Sequence, residues 1–126
     1  DLVKDVAVLE AAYDDAAGVT AAFNLNVLTH LNRLLGADFD LAQWRHRALF
    51  SREKSRIEMH LEARADTQVT WPGGGRHFRR GERIHTENSY KYRIADFAHL
   101  LELAGFASRS CWTDPGHAFA VLLARP

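Results

Sequence analysis

Residues 84–92 read IHTENSYKY, and this stretch says most about how the chain folds and what it binds. Alternating side chains predict a β-strand from Arg83 to Tyr90. In a strand, Glu87 and Ser89 lie on one face and their neighbours on the other. A carboxylate and a hydroxyl about 7 Å apart along a strand can hold a planar ring with two nitrogens, such as imidazole. A solvent-facing strand with a polar pair is the plainer interpretation.

Two helices are predicted ahead of the strands. Apolar residues at three- and four-residue steps predict helices over Val6–Tyr13 and Ala16–Leu35, the second ending at Gly36. Tyr13 could bind a carboxylate through its phenol, or could be half-buried with a satisfied hydroxyl. The candidate N-caps of the second helix are Asp14 and Asp15.

The middle of the chain alternates with period two, which predicts an antiparallel meander of three or four strands. Strand patterns begin at Arg45 and at Ile57, with a polar turn between them. The second strand can run on to Trp71, before the strong turn signal of Pro72–Gly75. Strand character then returns at His77 and leads into the strand quoted above.

The last part of the chain has a different pattern. A helix is predicted over Arg93–Ala104, followed by strands over Ala107–Thr113 and His117–Ala124. The final strand is nearly all apolar, which favours a central position in a sheet. These elements are predicted to form a separate packing unit that begins near Tyr92.

Composition limits the classes of function. The chain of 126 residues carries 16 basic and 16 acidic side chains, whereas nucleic-acid binding normally needs a basic surplus. No apolar run reaches the roughly 18 residues of a membrane span, and the acidic start lacks the basic region of a signal peptide. The single cysteine, Cys111, agrees with a reducing compartment. We therefore expect a cytoplasmic protein that binds neither nucleic acid nor membrane.

Three other kinds of site are disfavoured. The glycines of Pro72–Gly75 precede neither a Lys-Ser pair nor a helix, which favours a hairpin turn over a phosphate loop. Ser110 and Cys111 lie in an ordinary strand pattern without a nucleophile elbow. No histidine has a zinc spacing such as HExxH, so we expect no metal site and scattered surface histidines. The histidines considered are His46, His60, His77 and His85.

Four motifs, in order, resemble the second half of the SAM-dependent histidine Nα-methyltransferases. The resemblance covers nearly the whole chain. Enzymes of that family trimethylate the α-amino group of L-histidine to hercynine, the first step toward ergothioneine. The motifs are YDDAAGVTAAFNLNVLTHLNRLLGADFD from Tyr13, RIEMHL from Arg56, GERIHTENSYKY from Gly81 and WTDPGHAFAVLLA from Trp112.

The resemblance implies an α+β architecture in three parts. Residues 1–4 would end a Rossmann-like segment, and residues 5–91 would form a substrate-binding domain of two helices and the meander. Residues 92–126 would be the terminal helix and β-hairpin of the Rossmann-like methyltransferase fold. S-adenosyl-L-methionine would bind to the amino-terminal half, because this chain has no Gly-rich SAM loop. The chain would then be a carboxyl-terminal fragment, inactive by itself.

The resemblance also implies roles for four residues, all in substrate binding and none catalytic. Tyr13 would bind the substrate carboxylate, Glu87 and Ser89 would hold the imidazole, and Met59 would line the histidine pocket. From the residues alone, Met59 could equally be a core thioether.

Two alternative functions and the assembly state complete the expectations. The alternatives are a methyltransferase for a related imidazole or histidine-derived thiol, and a non-catalytic ligand-binding domain. We expect the full-length protein to be a monomer. The isolated chain is expected to repack or self-associate through the apolar residues 118–124.

Overall fold

The computed structural model describes the backbone of residues 1–126 and all side chains except those of Ser108 and Arg109. The chain is α+β, as predicted, with three helices and antiparallel sheets. The helices are α1 (Val6–Tyr13), α2 (Val19–Leu35) and α3 (Ile94–Leu103). The strands are β1 (Trp44–Ser51), β2 (Arg56–Ala63), β3 (Thr67–Trp71), β4 (Gly74–Phe78), β5 (Arg83–Tyr90), β6 (Ala107–Thr113) and β7 (Ala120–Arg125).

Helix α1 has the predicted bounds, but α2 begins three residues later than predicted. Gly18 adopts the left-handed conformation (φ 71°) before α2 begins, so the helix cannot start at Ala16. The carboxylate of Asp15 still caps the helix, because it accepts from the backbone N–H groups of Val19 and Thr20 at 2.9 Å each. Bonds from Thr20 and Val19 hold the pKa of Asp15 at about 2. No helix of the described chain combines the length and apolar character needed to cross a membrane.

The predicted antiparallel meander is present, but its second strand is divided into β2 and β3 and its third into β4 and β5. Strand β5 pairs antiparallel with β2, giving a three-stranded sheet of order β1-β2-β5, while β3 and β4 form a separate hairpin. Strand β2 does not run on to Trp71, because a bend follows Ala63. Backbone bonds from Ala63 N to the carbonyl of Glu82 and from Gly81 N to the carbonyl of Ala63 close this excursion at its base.

Both clusters of the hydrophobic core involve the three-stranded sheet. The smaller cluster joins Leu9 of α1 to buried residues of β1 and β2, and Tyr13 packs at its edge. The larger cluster lies beneath α2 and the β3–β4 hairpin, where Trp44 and Phe78 meet edge to face at 5.0 Å. The smaller cluster is Leu9, Ala48, Ile57 and Met59, and the larger is Leu28, Phe39, Trp44, Leu61, Ala63, Val69 and Phe78.

The carboxyl-terminal hairpin forms a sheet of its own. Strand β7 pairs with β6 alone in the described chain, so the predicted central position of this strand is wrong here. Its apolar side chains alternate between half-buried and exposed as a result. A parallel bridge between Leu2 and Tyr92 ties the first residues to the start of this part. The exposed large side chains of the hairpin are Trp112, Phe119, Val121 and Leu123.

Candidate functional site

A hydrogen bond of 2.6 Å joins Tyr13 Oη, at the end of α1, to Ser89 Oγ in β5. Ser89 lies opposite Ile57 and Glu87 lies opposite Met59 on the neighbouring strand. Ile57 and Met59 are buried beneath α1. The structure thus brings the four sequence-predicted residues to one end of the helix-covered sheet face. Glu87 is exposed there, which leaves its carboxylate available to a ligand.

A β-bulge at Thr86 sets the direction of these side chains. Pairing shifts between Met59 and His60, so that Thr86 is an extra residue in β5. Ile84 packs against the larger core cluster. Strict alternation from Ile84 would turn Glu87 away from the core face, and the extra residue restores it. The Thr86 hydroxyl donates to the Met59 carbonyl at 2.9 Å.

Lys91 belongs to the same site, and the sequence analysis missed it. Its side chain is fully buried. The ammonium donates to Ser89 Oγ at 2.7 Å and to Tyr13 Oη at 2.9 Å. It also lies 3.4 Å from a carboxylate oxygen of Asp1. Alternation could have found it, since Glu87, Ser89 and Lys91 follow at two-residue steps.

Electrostatics make the Tyr13 phenol more acidic than usual. Burial raises its pKa, but the hydrogen bonds from Lys91 and Ser89 and the positive charge of Lys91 together outweigh that effect and lower the pKa. The Lys91 ammonium also lies over the Tyr13 ring, 4.6 Å from its centroid. A more acidic phenol is a stronger hydrogen-bond donor, which suits recognition of an anionic group.

A buried polar chain fixes the backbone of Tyr13. His46 Nε2 lies 2.7 Å from the Tyr13 carbonyl, and His46 Nδ1 lies 2.9 Å from the amide nitrogen of Asn24. Because a carbonyl can only accept, this network assigns the hydrogen to Nε2 and makes Nδ1 the acceptor. His46 is therefore a buried structural residue, and the prediction that it is a surface histidine is wrong.

The opposite sheet face collects Glu58, His60 and His85, whose possible ligand atoms lie within 4.8 Å of one another. Arg56 already binds Glu58 through two guanidinium nitrogens, at 2.6 and 2.9 Å. The two imidazole rings stack with centroids 4.6 Å apart and planes 27° apart. Burial and the charge of His85 lower the pKa of His60. The cluster is a stacked ion-pair network, and the expected absence of a metal stays a prediction.

The whole chain matches a family of known proteins. A family described as histidine-specific, SAM-dependent methyltransferases matches residues 1–126. The chain belongs to this family.

Three relatives illustrate the similarity. The histidine N-alpha-methyltransferase of Mycolicibacterium smegmatis is 46% identical over 126 residues, and that of Mycobacterium tuberculosis is 43% identical. In both cases the match covers 98% of this chain and 39% of the relative. Ergothioneine biosynthesis protein 1 of Neurospora crassa is 31% identical over 116 residues, covering 90% of this chain and 13% of that protein. The chain thus spans about two fifths of the two bacterial relatives.

The Gly-rich segment after Pro72 does not form a loop that could hold the anionic groups of a cofactor. The glycines after Pro72 form the turn and first residues of the β3–β4 hairpin, with Gly73 at φ 90°. No helix begins there to receive an anionic group, so the predicted hairpin turn is confirmed.

The predicted ligand residues form an open surface. A pocket of about 460 Å³ lies beside them, between the end of β5 and α3. It includes Lys91 among its lining residues, but Tyr13 and Glu87 do not line it. Met59 and Ser89 do not line it either, so all four predicted ligand residues lie outside this pocket.

Proposed function

We propose that this chain is the substrate-binding part of an enzyme that methylates the α-amino group of L-histidine to hercynine, with SAM as the methyl donor. The observation that carries the proposal is the meeting of Tyr13, Ser89 and Glu87 beside buried Met59. Family membership supports the same conclusion. The names of the two bacterial relatives favour histidine over a histidine-derived thiol.

Each residue has a distinct part in recognising histidine. Glu87 accepts the N–H of the imidazole ring, and Ser89 bonds the other ring nitrogen. Tyr13 donates to the substrate carboxylate, as its lowered pKa favours. Met59 supplies a polarizable apolar surface behind the ring. A ligand without a ring N–H would leave the Glu87 carboxylate unpaired in the closed site, which is costly.

The chain contributes orientation to the chemistry. When bound, SAM would supply an electrophilic methyl group to the amine. The attacking group must be the neutral amine, with its lone pair aligned for in-line displacement. Tyr13 and Glu87 hold the two ends of histidine and so fix the amine between them, an effect that can be worth several kcal/mol. No side chain of this site acts as a strong base.

The proposed domain arrangement follows the same assignment. Residues 5–91 form the substrate-binding domain, while residues 1–4 and 92–126 belong to a Rossmann-like methyltransferase domain. The exposed apolar side chains of β7 support this division, because the helices on the faces of a Rossmann-like sheet would cover them. We place the SAM-binding residues outside this chain, in a full-length monomeric protein of the cytoplasm.

Product analysis tests the proposal. The full-length protein is incubated with SAM and either L-histidine or a histidine-derived thiol, and products are identified by mass spectrometry. We expect trimethylated histidine as the main product. Methylation of the thiol alone would move the assignment to the related substrate. Histidine binding without any methyl transfer would indicate a ligand-binding domain.

The isolated chain tests the proposed division of labour. We expect no product from residues 1–126 with the same substrates, and self-association in sedimentation experiments through the exposed β7 surface. A catalytically active chain would contradict the placement of SAM binding outside it. A strictly monomeric chain would contradict the proposed role of the β7 surface.

A further inference from the structure

We propose that Lys91 is a positioning residue that keeps the hydroxyls of Tyr13 and Ser89 oriented as hydrogen-bond donors toward the substrate. This inference rests on the proposed histidine site and adds a residue that does not itself touch histidine. Three observations carry it: the anchoring of Lys91, its hydrogen-bond geometry, and the number of hydrogens available in the cluster.

The anchoring is tight at both ends of the residue. The Lys91 backbone N–H donates to the Ser55 carbonyl at 2.8 Å, and the Ser55 hydroxyl donates to the Lys91 carbonyl at 2.8 Å. The side chain has no exposed surface. Its charge is met by the carboxylate of Asp1, 3.4 Å from Nζ. A buried ammonium held this way has little freedom to turn elsewhere.

The Lys91 ammonium can act only as a hydrogen-bond donor in this cluster. Lysine has donors and no acceptor, so both hydroxyl oxygens accept from Lys91 at 2.7 and 2.9 Å. Each hydroxyl therefore keeps a bonded lone pair whatever its own hydrogen does. Each hydroxyl can therefore donate its own hydrogen either to the other hydroxyl oxygen or to a ligand.

The number of hydroxyl hydrogens in the cluster determines how many hydrogen bonds it can donate to a substrate. Tyr13 and Ser89 have one hydroxyl hydrogen each, and the bond between them uses one of the two. The other is free to donate outward. When a ligand offers a second acceptor, the Tyr13–Ser89 bond can break without stranding either oxygen, because Lys91 still donates to both. The cluster then presents two donors beside the Glu87 acceptor.

This pattern defines the ligand chemistry. Two donors and one carboxylate match a molecule with two acceptors and one N–H, such as a neutral imidazole beside a carboxylate. Without Lys91, each hydroxyl could accept as readily as donate, and the preference for acceptor-bearing ligands would weaken. Lys91 thus sets specificity through Tyr13 and Ser89.

The test uses Lys91→Met in the full-length protein, which removes the charge and preserves the length of the side chain. Arg80→Met is the control, because Arg80 is an exposed cation in the turn before β5. We expect Lys91→Met to raise KM for L-histidine about 10- to 100-fold, the effect of losing charge-assisted hydrogen bonds. We expect kcat to change far less, since the bound ground state is what Lys91 organises. Arg80→Met should leave both constants unchanged.

A second readout separates positioning from general stability. The titration of Tyr13 is followed by NMR with ¹³C-labelled tyrosine, using Tyr13→Phe to assign the signal. Lys91→Met should raise the Tyr13 pKa, because the hydrogen bond and charge of Lys91 lower it in the wild type. Ser89 also lowers this pKa, while the charge of Glu87 raises it. Lys91→Arg keeps the charge and should restore part of the shift.

The outcomes distinguish this proposal from the proposed function. An unchanged Tyr13 pKa in Lys91→Met overturns the role of Lys91, whatever the enzyme makes. A protein that makes no hercynine, yet shows the shift, contradicts the histidine assignment and leaves the Lys91 contact standing. If Lys91→Met does not fold, the wild-type protein decides: a Tyr13 pKa at or above about 10, the ordinary tyrosine value, overturns the proposal.

Discussion

Tyr13 and Ser89 are 76 residues apart in the chain, yet their hydroxyl oxygens are 2.6 Å apart. This one bond joins the end of α1 to β5 and depends on the correct pairing of β5 with β2. The ligand surface therefore exists only when a helix and two strands are all in place.

Removal of the two hydroxyls should be non-additive. Tyr13→Phe and Ser89→Ala each delete one member of a shared hydrogen-bond cluster, and we expect each to raise KM for histidine about fivefold in the full-length enzyme. The double variant should lose less binding free energy than the two single variants together, with a coupling energy of about 0.5–3 kcal/mol. A double-mutant cycle on KM measures this. Strict additivity would mean that the two hydroxyls bind the substrate independently.

Loss of the Glu87 carboxylate should weaken histidine binding strongly. Glu87→Ala removes the acceptor for the ring N–H, so we expect KM for histidine to rise about 10- to 100-fold. Glu53→Ala, an exposed glutamate in the β1–β2 turn, is the control and should have no effect. Steady-state kinetics on the full-length protein decides the matter, and an unchanged KM in Glu87→Ala would remove Glu87 from the site.

The bulge at Thr86 should be sensitive to the loss of one hydroxyl. Thr86→Val preserves the shape of the side chain but deletes the donor to the Met59 carbonyl. We expect the free energy of unfolding to fall by about 1–3 kcal/mol, because a carbonyl beneath α1 loses its partner. Thr29→Val, at an exposed position of α2, is the control. Urea unfolding of the two variants should differ, and equal midpoints would show that the hydroxyl is dispensable.

Acid should destabilise the protein partly through Glu62. Hydrogen bonds from Arg83 and Arg45 hold the pKa of this buried carboxyl below its usual value. Since the folded pKa is the lower one, its contribution is complete above the unfolded pKa of about 4.3 and is lost as pH falls through the folded pKa.

Glu62→Gln tests this contribution. The variant should be less stable than the wild type at neutral pH, and its free energy of unfolding should fall less steeply below about pH 4.3. Urea midpoints measured across that range give the slope of stability against pH for each protein. Glu53→Gln serves as the comparison. Identical slopes for Glu62→Gln and wild type would exclude Glu62 as a source of the acid destabilisation.

Local patterns predicted the helices and the individual strands well. The bounds of α1 and β5 follow from the spacing of apolar and polar residues alone. The pairing of β5 with β2 agrees with the predicted meander, whereas the division of the long second strand into β2 and β3 did not follow from alternation. The bend after Ala63, which separates β3 from β2, has no Gly or Pro to announce it.

The sequence predicted that Glu87 and Ser89 share a face, but it did not predict the geometry around them. Glu87 and Ser89 were placed on one face correctly, but which face that is depends on the bulge at Thr86, and a bulge has no sequence signal here. Lys91 was overlooked because lysine is almost never fully buried. Only the tertiary contacts with Tyr13 and Asp1 explain why burial is tolerated at that position.

The excursion of β3 and β4 between β2 and β5 has a consequence for the order of folding. Strands β1 and β2 form a local hairpin, whereas β5 reaches β2 only after the β3–β4 hairpin, which lies between them in the chain and continues their register, has formed. Histidine-binding competence should therefore appear late. During refolding, recovery of ligand binding should lag behind recovery of secondary structure measured by circular dichroism. A nascent chain would thus form its secondary structure before it could bind histidine.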